Sequence, residues 1–221
     1  MYPKDPIGPC LPIWQSFIDE VNERGLSVLE IGARASVFGA PALRDHFPGA
    51  REYVGLDINI GPGVDLVADV HHLSSLLHGR RFGAIHSTSV FEHLAMPWVA
   101  AIECIKALDV GGIMYQHVPF AWPEHEEVDG WRFTRQTFAF LFPRAAGMDI
   151  EKVGADHPLH MHMVNPPVEQ SRFHEDLAHA YFGALMRKNR EADLSVYSWP
   201  VKARELLGDL DYGKRFETAE D

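Results

Sequence analysis

Two short apolar stretches, each ending at an acidic residue and separated by a helix-length segment, constrain this chain more than anything else in it. Residues 27–57 read SVLEIGARASVFGAPALRDHFPGAREYVGLD. Val28, Leu29 and Ile31 form a strand that runs through Glu30-Ile31-Gly32, and Tyr53 to Leu56 form a second strand that ends at Asp57. A strand, a crossover and a second strand make half of a nucleotide-binding βαβ unit. In such units the first turn lets a ligand approach the backbone, and an acid at the tip of the second strand accepts hydrogen bonds from a ribose hydroxyl pair.

The rest of the chain repeats the alternation. Pro3, Pro6, Pro9 and Pro12 imply an extended N-terminal arm. Ile13, Trp14, Phe17, Ile18 and Val21 then fall at helical spacing, which predicts an amphipathic helix over 11–24 that stops at Gly25. A helix over 40–47, a turn at Pro48-Gly49 and a strand over 52–58 follow. Gly61-Pro62-Gly63 turns into a short strand over 64–68 that ends at Asp69, and 71–78 reads as a short helix. Apolar content predicts a strand at 82–87. The spacing of Val99, Ile102, Ile105 and Leu108 predicts a helix within 89–108, and Gly111-Gly112 leads into a strand over 113–118. After an irregular, aromatic and acidic segment come a helix over 134–142, two strands over 148–153 and 160–164, and an amphipathic helix over about 168–189. With only Asp156-His157-Pro158 as a turn between them, those two strands are expected to form an antiparallel edge hairpin. The fold class is therefore α/β: a Rossmann-like, mostly parallel sheet of seven strands with an antiparallel edge hairpin and helices on both faces. The expected organisation is one domain, with an arm and helix over 1–26, a core over 27–165 and a C-terminal helical extension over 166–221.

Charge and cysteine content exclude several function classes. Lys plus Arg number 20 and Asp plus Glu 31, a net charge of −11, with no basic stripe. Nucleic acids and anionic membrane surfaces, which need clustered cations, are not expected partners. Two distant cysteines, Cys10 and Cys104, suggest neither a disulfide framework nor a metal-binding pair, so a reducing cytoplasm is the simplest setting. The N-terminus does not read as a signal peptide, and no apolar run reaches the length of a membrane span.

Taken in order, VLEIGARAS, YVGLD, DLVADV, FGAIHSTSVFEHL and ALDVGGIMYQHVPF resemble the motifs of the class I S-adenosylmethionine-dependent methyltransferases, over roughly residues 27–164. The resemblance implies S-adenosylmethionine as cofactor. By it, Glu30 and Gly32 border the methionine moiety, Asp57 binds both ribose hydroxyls, Asp69 with the Val70 backbone binds the adenine edge, and Ser87 at the tip of the fourth strand completes the set. One departure stands out. The family's first motif continues with two more glycines, where this chain has Arg34 and Ser36; a side chain there keeps a ligand farther from the backbone. Arg34 is equally readable as a partner of the cofactor carboxylate and as a solvated surface residue.

The segment HVPFAWPEHEEVDGWRFT, residues 117–134, resembles a subgroup of these enzymes, several of which act on sugars or other small molecules. A small polar metabolite is the implied substrate. Methyl transfer is an in-line displacement that needs close positioning, an aromatic lining such as Phe120, Trp122 and Trp131, and a base for acceptors that lose a proton. His117 and His125 are the candidate bases, since imidazole titrates near neutrality. Arg132 reads as a loop-holding partner of Asp129 or Glu126, and Glu92 and His93 as the start of the helix after strand four. His117, His125, His157, His160 and His162 are conceivable metal ligands, but no spacing matches a zinc signature and no metal ligand is assigned. Two other readings remain open: a scaffold protein that kept the fold without the cofactor, and a metal-dependent hydrolase using the histidines. The oligomeric state is not legible.

Overall fold

The computed structural model describes residues 7–35, 42–160 and 177–197. Among them seven strands form one sheet in the order β3-β2-β1-β4-β5-β7-β6. These are β1 Ser27–Ile31, β2 Glu52–Asp57, β3 Leu66–Val67, β4 Phe82–Thr88, β5 Leu108–Pro119, β6 Met148–His160 and β7 Leu177–Lys188. The first five pair in parallel, whereas β7 runs antiparallel to both β5 and β6. The strand order reverses between β1 and β4, so their carboxyl ends open the crevice in which such sheets take ligands.

Helix α1, Cys10–Arg24, covers one face with Ile13, Phe17, Ile18 and Val21 and packs on β5, β6 and β7. Gly25 ends it at φ 59°, a left-handed position that costs glycine little. On the other face lie α2, Leu73–Leu76, α3, Pro97–Ala107, and α4, Thr137–Leu141, over a core of Leu29, Ile85, Ile105, Met114 and Phe138. Proline at the first position of α3 lacks the N–H that no helical carbonyl could have accepted. At its other end Lys188, fully buried on β7, donates its ammonium to the carbonyls of Ile105 and Leu108, which the helix leaves open.

Three expectations are corrected. Residues 40–47 do not form an α-helix where described; Leu43–His46 make a single 3-10 turn. Asp156-His157-Pro158 is no turn, because β6 runs straight through it to His160. Pro158 is tolerated because β6 is the sheet's edge, where a missing N–H breaks no ladder, and His157 absorbs the irregularity at φ 52°. The partner of β6 is accordingly not 160–164, most of which lies outside the described residues along with His162. It is Leu177–Lys188, inside the segment expected to be helical, so the sheet extends beyond residue 165. The predicted helices over 71–78 and 134–142 shorten to a 3-10 turn with α2 and to α4. Among the described residues no helix is long and apolar enough to cross a membrane.

Candidate active site

At the tip of β1 the chain turns through Gly32, φ 81°, where a Cβ would lie 2.2 Å from Val90 Cγ2. Only glycine fits both the conformation and the space. The Gly32 and Ala33 amides both donate to the Leu56 carbonyl, which ties the turn to the tip of β2. Asp57 stands there half-buried; its Oδ1 accepts from the Asn59 amide at 2.8 Å, and Oδ2 has only a long contact, 3.4 Å, from the Arg34 amide. The Arg34 side chain is exposed and lies along Gly61, whose Cβ would meet Arg34 Cγ at 2.7 Å. Arg34 thus braces the Gly61-Pro62-Gly63 turn; Ser36 lies outside the described residues.

Asp69 accepts from the His71 amide at 2.9 Å and from the His71 ring at 2.6 Å, so it caps the 3-10 turn Val70–His72, with Val70 buried beneath. Glu30 points to the α1 face instead of the crevice. It accepts a 2.7 Å hydrogen bond from Tyr53, whose oxygen is 2.8 Å from His86 Nε2. Burial raises the pKa of Glu30 despite that donor, and burial alone pushes His86 down to about 3. Ser87 pairs in register with Ile31 on one side and Gln116 on the other. All three side chains share the α3 face, and neither the Ser87 hydroxyl nor the Gln116 amide has a hydrogen-bond partner among the described residues.

Beyond β4 the structure departs from expectation. Glu92 and His93 do not begin the following helix; they lie in a separate 3-10 turn, Phe91–His93, ahead of α3. That turn interlocks with the loop over 120–134. Gly130 donates to the Glu92 carbonyl, the His93 ring meets the Val128 carbonyl at 2.6 Å, and the Trp131 indole donates to the Leu94 carbonyl. Arg132 closes the loop from within: it grips Asp129 through two nitrogens and donates to the carbonyls of Trp122, Pro123 and Trp131. These hydrogen bonds hold the Asp129 carboxyl well below the usual carboxylate range. The expected Arg132–Asp129 pair is therefore present, and two motifs far apart in the chain are halves of one construction.

His117 and His125 fall in separate clusters. His125 is an exposed loop residue 2.9 Å from Asp129 and 5.0 Å, ring to ring, from His93. His117, at the end of β5, faces Asp156 at 3.4 Å and stacks on Tyr181 at 4.9 Å. Burial lowers its pKa more than Asp156 raises it. Tyr181 also packs on Trp122, with ring centroids 5.1 Å apart. A β7 residue placed in a helix has no reason to meet a β5 histidine, so the sequence pattern left Tyr181 unnoticed. The pairing of Gly183 with His117 in register is the signal that brings it in.

Neither a protein-family model nor a curated protein matches this chain. Solved structures do. A S-adenosylmethionine-dependent methyltransferase from Archaeoglobus fulgidus aligns with a TM-score of 0.52 and 14% identity over 80% of this chain and 99% of the other. The N-methyltransferase NodS from Bradyrhizobium japonicum, in complex with S-adenosylhomocysteine, aligns with a TM-score of 0.50 and 14% identity over 83% and 89%. The fold is that of the S-adenosylmethionine-dependent methyltransferases. At these identities the likeness is one of fold. In an open α/β sheet of this order the crevice at the switch point lies outside the carboxyl ends of β1 and β4.

Proposed function

We propose that this chain is an S-adenosylmethionine-dependent methyltransferase acting on a small polar metabolite. The observation that carries the reading is the set of strand tips: a glycine turn no side chain could replace, a half-buried aspartate with an oxygen to spare, and a buried serine hydroxyl without a partner among the described residues. Polar groups buried without partners are rare in folded proteins, and a ligand in the crevice is one way to satisfy Ser87. These residues fit the cofactor. Asp57 would accept from the ribose hydroxyls, Asp69 and the Val70 backbone would meet the adenine edge, and Gly32 would admit the methionine part close to the main chain. Glu30, expected to border the methionine moiety, is engaged by Tyr53 on the α1 face and takes no part in this set.

The cofactor, when bound, supplies a methyl group on a sulfonium. The chain's part is to hold an acceptor in line with it, exclude water and take the acceptor's proton. Trp122 and Tyr181 form an aromatic wall beside His117. His117 is the base: burial keeps its ring neutral at pH 7, and Asp156 steadies it as it gains the proton. His125 belongs to a separate group with Glu92 and His93, on the loop that Arg132 closes.

Calorimetry with S-adenosylmethionine and S-adenosylhomocysteine tests the reading. Binding of both is expected, with affinity about tenfold or more weaker in Asp57→Ala, the loss of a charge-assisted hydrogen-bond pair. If neither binds at millimolar concentration, the proposal is wrong.

A further inference from the structure

Three acids with little exposed surface line the described core, and one differs from the others. Glu30 is held by Tyr53, and Glu103 by the Ser74 amide and Lys106. Glu92 keeps 1% of its surface exposed, and neither carboxylate oxygen has a hydrogen-bond partner among the described residues. Leaving a carboxyl so placed costs stability, so its surroundings have to explain it.

Two imidazoles supply the explanation. His93 Nε2 lies 3.8 Å from Glu92 Oε1, while its Nδ1 is hydrogen-bonded to the Val128 carbonyl. His125 turns Nδ1 to Asp129, itself gripped by Arg132, which leaves Nε2 without a hydrogen-bond partner among the described residues. A histidine whose Nδ1–H is spent on a carbonyl or carboxylate presents Nε2 as a lone pair of fixed direction, the arrangement that surrounds metal-bound histidines. One donor atom from each of Glu92, His93 and His125 lies within 4.8 Å of the others.

We propose that Glu92, His93 and His125 bind one divalent first-row transition ion. Bonds of about 2.1 Å would bring the donors to roughly 3.4 Å from one another, a closure within reach of ring rotation and a small movement of the loop bearing His125. Two imidazoles and a carboxylate favour zinc, cobalt or manganese over magnesium, which prefers oxygen. Three protein ligands leave coordination positions open for an exogenous ligand. An acceptor oxygen bound there would lose its proton more readily and be fixed for attack. That role rests on the methyl-transfer reading; the binding of the ion does not. Carboxylate and ion also answer the orphaned oxygens of Glu92.

The test uses the untagged full chain, stripped with a chelator and titrated with Co2+ by visible absorption and with Zn2+ by calorimetry. One ion per chain is expected, bound about tenfold or more weakly in each of Glu92→Gln, His93→Ala and His125→Ala, and unchanged in Cys10→Ala. The last variant dismantles the other group with suitable donors among the described residues, Cys10, His117 and Asp156. Thermal unfolding guards against misfolded variants: Zn2+ should raise the midpoint of the native chain and leave that of Glu92→Gln unmoved. Binding that survives both Glu92→Gln and His125→Ala, binding that vanishes in Cys10→Ala, or no binding of either ion overturns the proposal. S-adenosylhomocysteine titrated into the same samples separates the two readings, since ion binding without cofactor binding sinks only the methyl-transfer reading, and the converse only this one.

Discussion

At the scale of single residues, a buried polar chain sets an acid limit on stability. His86 is enclosed by Trp14 and Phe17 from α1, by Phe47, by Tyr115 of β5, which faces the same two α1 rings, and by Tyr53, through which it reaches Glu30. With Glu30 ionised, the direction of hydrogen bonding is from His86 Nε2–H to Tyr53 and from the Tyr53 hydroxyl to Glu30. Protonating the ring would bury a cation, which is why its pKa falls from 6.5 to about 3. Between those values the unfolded chain binds a proton that the folded chain refuses. The contribution of His86 is therefore fully present above pH 6.5 and is lost progressively as the pH falls toward 3. Glu30 opposes it in part: its raised pKa makes the folded state hold a proton longer than the unfolded one, so its contribution declines as pH rises above 4.5. In His86→Gln, which keeps a donor for Tyr53 but cannot titrate, stability should fall less steeply from pH 7 to pH 4, the difference reaching a few kcal/mol. Urea unfolding at several pH values measures both slopes, and equal slopes would refute the assignment.

At the scale of elements, what the sequence disclosed and what it hid have the same cause. β1, β2, β4 and β5 were legible as short apolar runs, and α1 and α3 by their helix period, each set off by a nearby glycine or proline. β7 was not. Its LAHAYFGALMRK is rich in alanine, leucine and methionine, which favour helices, and it has no β-branched residue. Being covered on both faces, it shows none of the alternation that marks a half-exposed strand. Tertiary pairing with β5 and β6 overrides the local preference. Gly183 makes that pairing possible, since a Cβ there would sit 2.9 Å from both Cys10 Sγ and Tyr115 Oη. Gly183→Val should displace the start of α1 and cost about 1–3 kcal/mol, as overpacking a core does. Denaturant unfolding checks it; an unchanged midpoint would mean that α1 yields freely.

At the scale of the whole molecule, the crevice has two walls of different legibility. The wall made by the tips of β1, β2 and β4 follows directly from strand-end residues, so the positions of Gly32 and Asp57 at the ends of β1 and β2 were legible in the sequence. The other joins the Phe91–His93 turn, the 120–134 loop and Tyr181, parts that meet through tertiary hydrogen bonds and ring packing, and reading Glu92 as a helix cap concealed it. The two walls should respond to different ligands. Amide hydrogen exchange offers the measurement, because a bound ligand slows local opening of the backbone it touches. S-adenosylhomocysteine should protect the amides of residues 32–34, 57–59 and 69–71, whereas Zn2+ should protect those of 92–94 and 125–132. Added together, the two should protect both sets. Protection of the first set by Zn2+ alone, or of the second by the nucleoside alone, would show that the walls move as one body, and the division of the site into a cofactor wall and an ion wall would fail.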